Sequence, residues 1–169
     1  MRVEIEIPAK DQIISEACHV AIAGKGAPWK ESCLGQGTKE SGVYVIHHGG
    51  DIKYVGKTNG PAMSFGIRLR REFQESASGG KHIYPKLVSL STPPPILVSL
   101  FPAAAIEKLV QVSGIKLGSH HIIEIFETAL IQVYQPEFQR HHEKRTVAYL
   151  KKLGYARAED VIAVLKKKA

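Results

Sequence analysis

Two tyrosines sit ten residues apart, each two residues from a glycine. In "SGVYVIHHGGDIKYVGKT", residues 41–58, "GVY" spans Gly42 to Tyr44 and "YVG" spans Tyr54 to Gly56, with Lys57 next. A phenol can carry a proton, but with an ordinary pKa near 10 only ~0.1% of it is phenolate at neutral pH. Bringing that value down to about 7 takes roughly 4 kcal/mol from nearby positive charge. Cations stand close by in sequence: Lys57 itself, then Arg68, Arg70 and Arg71 in "IRLRREF". Two carboxylates, Glu124 and Glu127, follow in "HIIEIFETALIQVYQP". The tyrosines also read as core-edge residues of a plain hairpin, and the arginines as solvated or phosphate-contacting surface groups.

The elements that must position these groups can be read from periodicity. "GVYVIHH", "GGD" and "IKYVGKT" form strand, tight turn and strand. Residues 62–76 read as a helix with Phe65, Leu69 and Phe73 on one face, after a turn at "NGP", 59–61, and before a stop at Gly79 and Gly80. "ILVSLF", 96–101, is a continuous apolar run bounded by prolines, the pattern of a buried strand. A short helix is expected over 103–112. The strongest helix is "SHHIIEIFETALIQVYQP": Ser119 can cap it, Ile122, Ile125, Phe126, Ala129, Leu130 and Val133 form its buried stripe, and Pro136 stops it. Upstream, "RVEIEIP" alternates as a half-buried strand, and residues 11–23 have helical spacing with Asp11 as N-cap. Residues 24–41 read as a linker or ordered loop. Two short helices are expected in the tail, near 143–153 and 157–167. The fold class is α/β: a small mixed, mainly antiparallel sheet flanked by helices. The organisation is an N-terminal strand-helix extension over 1–40, a central domain over 41–139 and a basic helical extension over 140–169.

The chain of 169 residues carries a net charge of +7. Residues 140–169 hold nine Lys or Arg against three acids, so this segment alone is +6. The other 139 residues hold 14 bases against 13 acids. A basic appendage on a nearly neutral domain points to a polyanion. Two cysteines, Cys18 and Cys33, are too few for a disulfide scaffold. The start of the chain interleaves charges with apolar residues, unlike a signal peptide, and no run of 18 apolar residues suits a membrane span. The expected location is cytoplasmic, with the nucleoid or a nucleus as alternatives, and no membrane partner. The histidine pairs at 120–121 and 141–142 lack a nearby third ligand for zinc.

"GVY", nine intervening residues and "YVG" resemble the GIY-YIG nuclease family. Three further matches carry the resemblance: an arginine on the following helix, a glutamate on a later helix, and the run "ETALIQVYQPEFQ" after it, with Leu130, Ile131, Pro136 and Gln139 in the family's spacing. It covers residues 41–139. Arg68 is preferred over Arg70 and Arg71 because it precedes the aromatic Phe73 by five residues, which makes "TNGPAMSFG" look like a four-residue insertion. Gln139 stands where the family has Asn. Glu72 stands where some members have a histidine one turn after the arginine, so that base is missing.

The resemblance implies a divalent-metal-dependent endonuclease on DNA, of repair, restriction, mobile-element or structure-specific type. Tyr44 would activate water, helped by Lys57 or Tyr54. Arg68 would bind the scissile phosphate. Glu127 would hold one Mg²⁺ or Mn²⁺ that neutralises the leaving 3′ oxygen. Gly42, Gly56 and Gln139 would support the site. Glu124, one turn before Glu127, is expected to face solvent. Arg70 and Arg71, with Lys144, Arg145, Lys151 and Lys152 of the basic tail, would contact DNA, whether double-stranded, branched or single-stranded. A homodimer would be one route to double-strand cleavage. The alternative is a catalytically reduced nucleic-acid-binding module of the same fold; a coincidental match would leave the charge asymmetry unexplained.

Overall fold

The alternation of Val3, Ile5 and Ile7 makes a strand, and burying three β-branched side chains on one face gives it a place in the core. All three are fully buried. In the computed structural model, which describes residues 2–24, 26–30, 32–58, 62–75, 82–90, 92–140 and 162–167, the order is β1 (Arg2–Ile7), α1 (Lys10–Ser15), β2 (Cys18–His19), a 3-10 helix (Ser32–Lys39), β3 (Gly42–His48), β4 (Asp51–Lys57), α2 (Phe65–Phe73), α3 (Tyr84–Val88), β5 (Ile96–Pro102), α4 (Ala103–Leu109), β6 (Val110–Ser113), α5 (Ser119–Tyr134) and β7 (Ile162–Lys167). The expected α/β class, with a small antiparallel sheet flanked by helices, is what the chain forms. The strands make a four-stranded antiparallel sheet, β2-β5-β3-β4, and a three-stranded sheet, β6-β1-β7.

Strand alternation sorts the four-stranded sheet into two faces. Val43, Val45, Ile52 and Val55 share one core with β1 and with Ile123, Phe126, Ala129 and Leu130 of α5. Tyr44 and Ile46 share the other with Phe65, Leu69 and Phe73 of α2. The N-terminal strand therefore packs against the same helix as the hairpin. Each fully buried aliphatic or aromatic side chain contributes about 1.5–3 kcal/mol over its exposed state.

The hairpin closes at Gly49 and Gly50, both with positive φ, as a two-residue turn compatible with the twist of its strands. It also carries a bulge. Ile46 pairs with Tyr54 and His47 with Ile52, which leaves Lys53 without a partner across β3. Without that extra residue Tyr54 would lie opposite Val45, on the α5 face. The bulge puts it on the α2 face with Tyr44. The Phe138 N–H donates to the Lys53 carbonyl at 2.8 Å, so the chain beyond α5 uses the bulged residue.

Several expectations are corrected. The helix expected over 11–23 ends at Ser15, because Cys18 and His19 pair with Val98 and Leu97 and the Val20 N–H donates to Ile96 O. Asp11 is not its cap: Gln12 Oε1 accepts from the Ala9 N–H at 3.3 Å. The helix expected over 103–112 stops at Leu109, and Val110 to Ser113 pair antiparallel with β1. Ser119 does not cap α5; Gly118 takes that place, and Ser119 Oγ donates to Glu107 Oε1 at 2.6 Å. The second tail helix is overturned over 162–167, where the backbone is a strand parallel to β1. The turn at 59–61, the stop at Gly79 and Gly80, His141 and His142, and the tail helix at 143–153 lie outside the described residues. Among those described, no helix is long and apolar enough to cross a membrane.

His47 is a buried histidine of structural type. Ser99 Oγ donates to the Ile13 carbonyl at 2.5 Å, so His47 Nε2 must be the donor in its 2.9 Å bond to Ser99 Oγ. Burial first, then the charge of Lys10, lowers its pKa to about 4.

Candidate active site

Gly56 lies directly opposite Tyr44, and the Tyr44 ring covers it. A Cβ at Gly56 would overlap Cζ, Oη and Cε1 of that ring. The glycine of "YVG" is thus the floor under the tyrosine of "GVY". Gly42 has a different reason: a Cβ there would overlap the Phe101 carbonyl oxygen of β5. Its N–H donates to Thr58 Oγ1 at 2.9 Å, which ties the two ends of the hairpin together.

α2 brings in the cation. Ser64 caps it through the Ile67 N–H, and Phe65, Leu69 and Phe73 bury its apolar stripe. Arg68 leans from that stripe onto Tyr44, with Nε donating to Tyr44 Oη at 3.2 Å. Arg68 Nη2 lies 3.1 Å from Glu72 Oε1, and Tyr44 Oη donates to the same oxygen at 3.1 Å. Glu72 is 1% exposed, and Oε2 has no hydrogen-bond partner among the described residues. Arg70 is exposed and Arg71 half-buried.

The two tyrosines are not equivalent. Their ring centroids are 6.1 Å apart, tilted by 49°. Tyr44 is fully buried, while Tyr54 is partly exposed. At Tyr44 the direction of the phenol pKa is upward. Burial and Glu72 push it well above its ordinary value, and the opposing Arg68 is outweighed. Tyr54 is raised too, by burial and then Glu72, with Arg68 opposing and Glu127 adding. Tyr54 therefore senses both the arginine on α2 and the glutamate on α5.

On the other face of β4, Lys57 Nζ donates to Glu127 Oε2 at 2.7 Å and lies 3.1 Å from Glu124 Oε1. Burial disfavours its charge, but the two carboxylates win and raise its pKa. Glu124 is therefore turned inward to the site, not to solvent as expected: three residues apart on α5, both glutamates reach one ammonium. Gln139 Oε1 accepts from the Val55 N–H on the edge strand at 3.3 Å. Beside it, Lys86 Nζ and His82 Nε2 both meet the Phe138 carbonyl, at 3.4 and 3.1 Å. Lys144, Arg145, Lys151 and Lys152 lie outside the described residues.

The residues that sequence reasoning missed are Glu72 and Glu124. Both had a spacing signal. Glu72 is four residues after Arg68 and falls on the stripe of Leu69 and Phe73; Glu124 shares a helix face with Glu127.

The donor set suits a hard divalent cation. Mg²⁺ is ordinarily held by one or two carboxylates with waters and substrate phosphates. Glu124, Glu127 and Lys57 together carry one net negative charge, and the two glutamate side chains are 29% and 14% exposed. No family model, curated protein or solved structure matches the chain.

Proposed function

We propose that this protein is a divalent-metal-dependent endonuclease that hydrolyses DNA phosphodiester bonds, with its site at the β3–β4 hairpin between α2 and α5. The observation that carries the reading is the arrangement about β4: Arg68 Nε donates to Tyr44 Oη at 3.2 Å beside one of its faces, and Lys57 Nζ donates to Glu127 Oε2 at 2.7 Å on the other. Residues from four elements, as far apart in sequence as 44 and 127, are thereby gathered about one strand.

Hydrolysis of a phosphodiester requires on the order of 20 kcal/mol of barrier lowering, so binding alone is not enough. Arg68 is a planar fork with two of its donors tied inward, which leaves its outer edge to take two phosphate oxygens. Glu127, with Glu124 beside it, would hold Mg²⁺ or Mn²⁺. When bound, that ion supplies charge neutralisation at the leaving 3′ oxygen. Lys57 holds Glu127 in place, and its ammonium limits the negative charge that an incoming phosphate meets. Tyr54, partly exposed, can hydrogen-bond a water beside that phosphate. Lys86, Arg140, Arg70 and Arg71, with the basic tail, supply sequence-independent attraction for the backbone.

The test is cleavage of plasmid, branched, single-stranded DNA and RNA in Mg²⁺, Mn²⁺ and EDTA, by wild type, Glu127→Ala and Arg68→Ala. Metal-dependent cleavage by wild type, abolished in both variants, is expected. Equal cleavage by all three proteins would overturn the site. Binding without cleavage in every metal would instead favour a nucleic-acid-binding module.

A further inference from the structure

The ring formed by Arg68, Tyr44 and Glu72 has all its hydrogen-bond directions determined. A guanidinium only donates, so Tyr44 Oη accepts from Arg68 Nε. The phenol's own proton must then go to Glu72 Oε1, which also accepts from Arg68 Nη2. The three distances, 3.2, 3.1 and 3.1 Å, close the ring without a water.

We propose that Glu72 is a positioning residue: with Tyr44 it holds the Nε–Nη2 edge of Arg68 inside the protein, so that the other edge meets a phosphodiester and Tyr54 is the phenol beside it. This rests on the phosphodiesterase reading above for the identity of the ligand.

Three observations carry it. The first is the cost of Glu72. A carboxylate in an apolar stripe loses its hydration, and one of its oxygens has no partner among the described residues. An apolar side chain would fill that stripe between Leu69 and Phe73 with no such loss. What the carboxylate provides and an apolar group cannot is a fixed angle for Arg68. The second is exposure. Arg68 keeps 30% of its side chain accessible, whereas Tyr44 keeps none. Tyr44 cannot touch substrate in this arrangement, and Tyr54 can. The third is charge. The groups that face Glu72 are Arg68 from its own helix, Tyr44 from β3 and Tyr54 from β4. Burial and Glu72 together keep the Tyr44 proton in place, so Tyr44 serves as a donor within the ring and not as a base.

Two measurements test this, and the first needs no activity. In a spectroscopic titration of the tyrosines, Glu72→Gln removes a negative charge next to two phenols, so phenolate should form at lower pH than in wild type. An unchanged titration curve would overturn the ring. The second is oligonucleotide affinity in EDTA, where nothing is cleaved. Glu72→Ala and Tyr44→Phe should each weaken binding, about tenfold for Glu72→Ala if Arg68 no longer makes one charge-assisted bond to phosphate. Glu72→Gln, whose amide oxygen still accepts from both donors, should recover part of that affinity.

The decisive comparison is the double variant. Glu72→Ala with Arg68→Ala should bind no worse than Arg68→Ala alone, because Glu72 acts through Arg68. Fully additive effects would overturn the proposal. Where metal supports cleavage, Tyr54→Phe should change the pH–rate profile and Tyr44→Phe should not; the reverse result would refute the assignment of Tyr54. If Glu72→Ala does not fold, the titration of Glu72→Gln and the affinity of Tyr44→Phe still decide. Failure of wild type to bind or cleave any nucleic acid would refute the parent reading and leave the titration to judge the ring.

Discussion

Gly56→Ala puts a methyl group where the Tyr44 ring already lies. In a strand that tolerated the side chain, replacing glycine would stabilise by about 0.4–1 kcal/mol, because the unfolded chain loses freedom. Here the sign should reverse. The overlapped atoms are Cζ, Oη and Cε1 of a fully buried ring whose hydroxyl is bonded on two sides. The ring is fully buried and the backbone beneath it is paired across the hairpin, so relief requires moving one or the other. Overpacking of this kind costs typically about 1–3 kcal/mol, and the fixed hydroxyl puts this case at the upper end, about 3 kcal/mol. For a chain of this size that is a drop in Tm of about 6–12 °C. The assay is urea denaturation of four proteins: wild type, Gly56→Ala, Tyr44→Leu and the double variant. Leucine ends before the three overlapped atoms, so in the Tyr44→Leu background the added methyl should cost nothing or stabilise slightly. The coupling energy should be about 3 kcal/mol, the whole of the overpacking cost. A coupling below about 0.5 kcal/mol, the ordinary error of additivity, would refute the claim that Tyr44 dictates glycine at 56.

His47 has a folded pKa of about 4 against about 6.5 unfolded, so its contribution is complete above the unfolded value and disappears as pH falls through the folded one. Stability should drop by up to about 3 kcal/mol across that window, and urea midpoints at about pH 7 and about pH 5 should differ less in His47→Gln. Tyr44, raised above its ordinary value, stabilises below about pH 10 and loses that contribution as pH rises further; Tyr44→Phe should flatten the alkaline limb of the stability profile. Lys57→Met removes the ammonium that Glu124 and Glu127 share, and direct titration should detect tighter Mn²⁺ binding. Nucleic-acid affinity should fall steeply with salt, and neutralising Lys144, Arg145, Lys151 and Lys152 together should reduce the log–log slope by about 0.9 for each phosphate no longer neutralised.

The parts of the fold legible in the sequence are those decided locally. The hairpin announces itself through Gly49-Gly50 and alternation, and α2 and α5 through apolar stripes of helical period. What was not legible depends on partners distant in the chain. β6 is four residues whose strand character comes from pairing with β1 more than a hundred residues earlier. "IAVLKK" contains good helix formers and still becomes β7, because the open edge of β1 takes its backbone groups. At the site, residue types and spacing gathered Tyr54, Arg68, Lys57 and Glu127 about one strand. They could not say which tyrosine is sealed. That depends on a single bulged residue, Lys53, and on whether Glu72 turns inward, and neither is visible without the backbone.

The parallel pairing of β1 with β7 has a consequence for the order of assembly. Arg2 lies beside Ile162, and Ile7 beside Lys167. The hairpin needs only the sixteen residues from Gly42 to Lys57 to form, whereas the first strand of the chain must wait for one near the other end. Pairings of such long separation close slowly, since loop entropy is given up before any pairing rewards it. A ribosome making this protein therefore releases the hairpin early and holds β1 with one edge unpaired until residue 167 has emerged. During that interval the edge of β1 is open to strands of neighbouring chains. A shortened chain ending near residue 140 would keep that edge open permanently. Its first failure should be self-association, ahead of any defect at the hairpin.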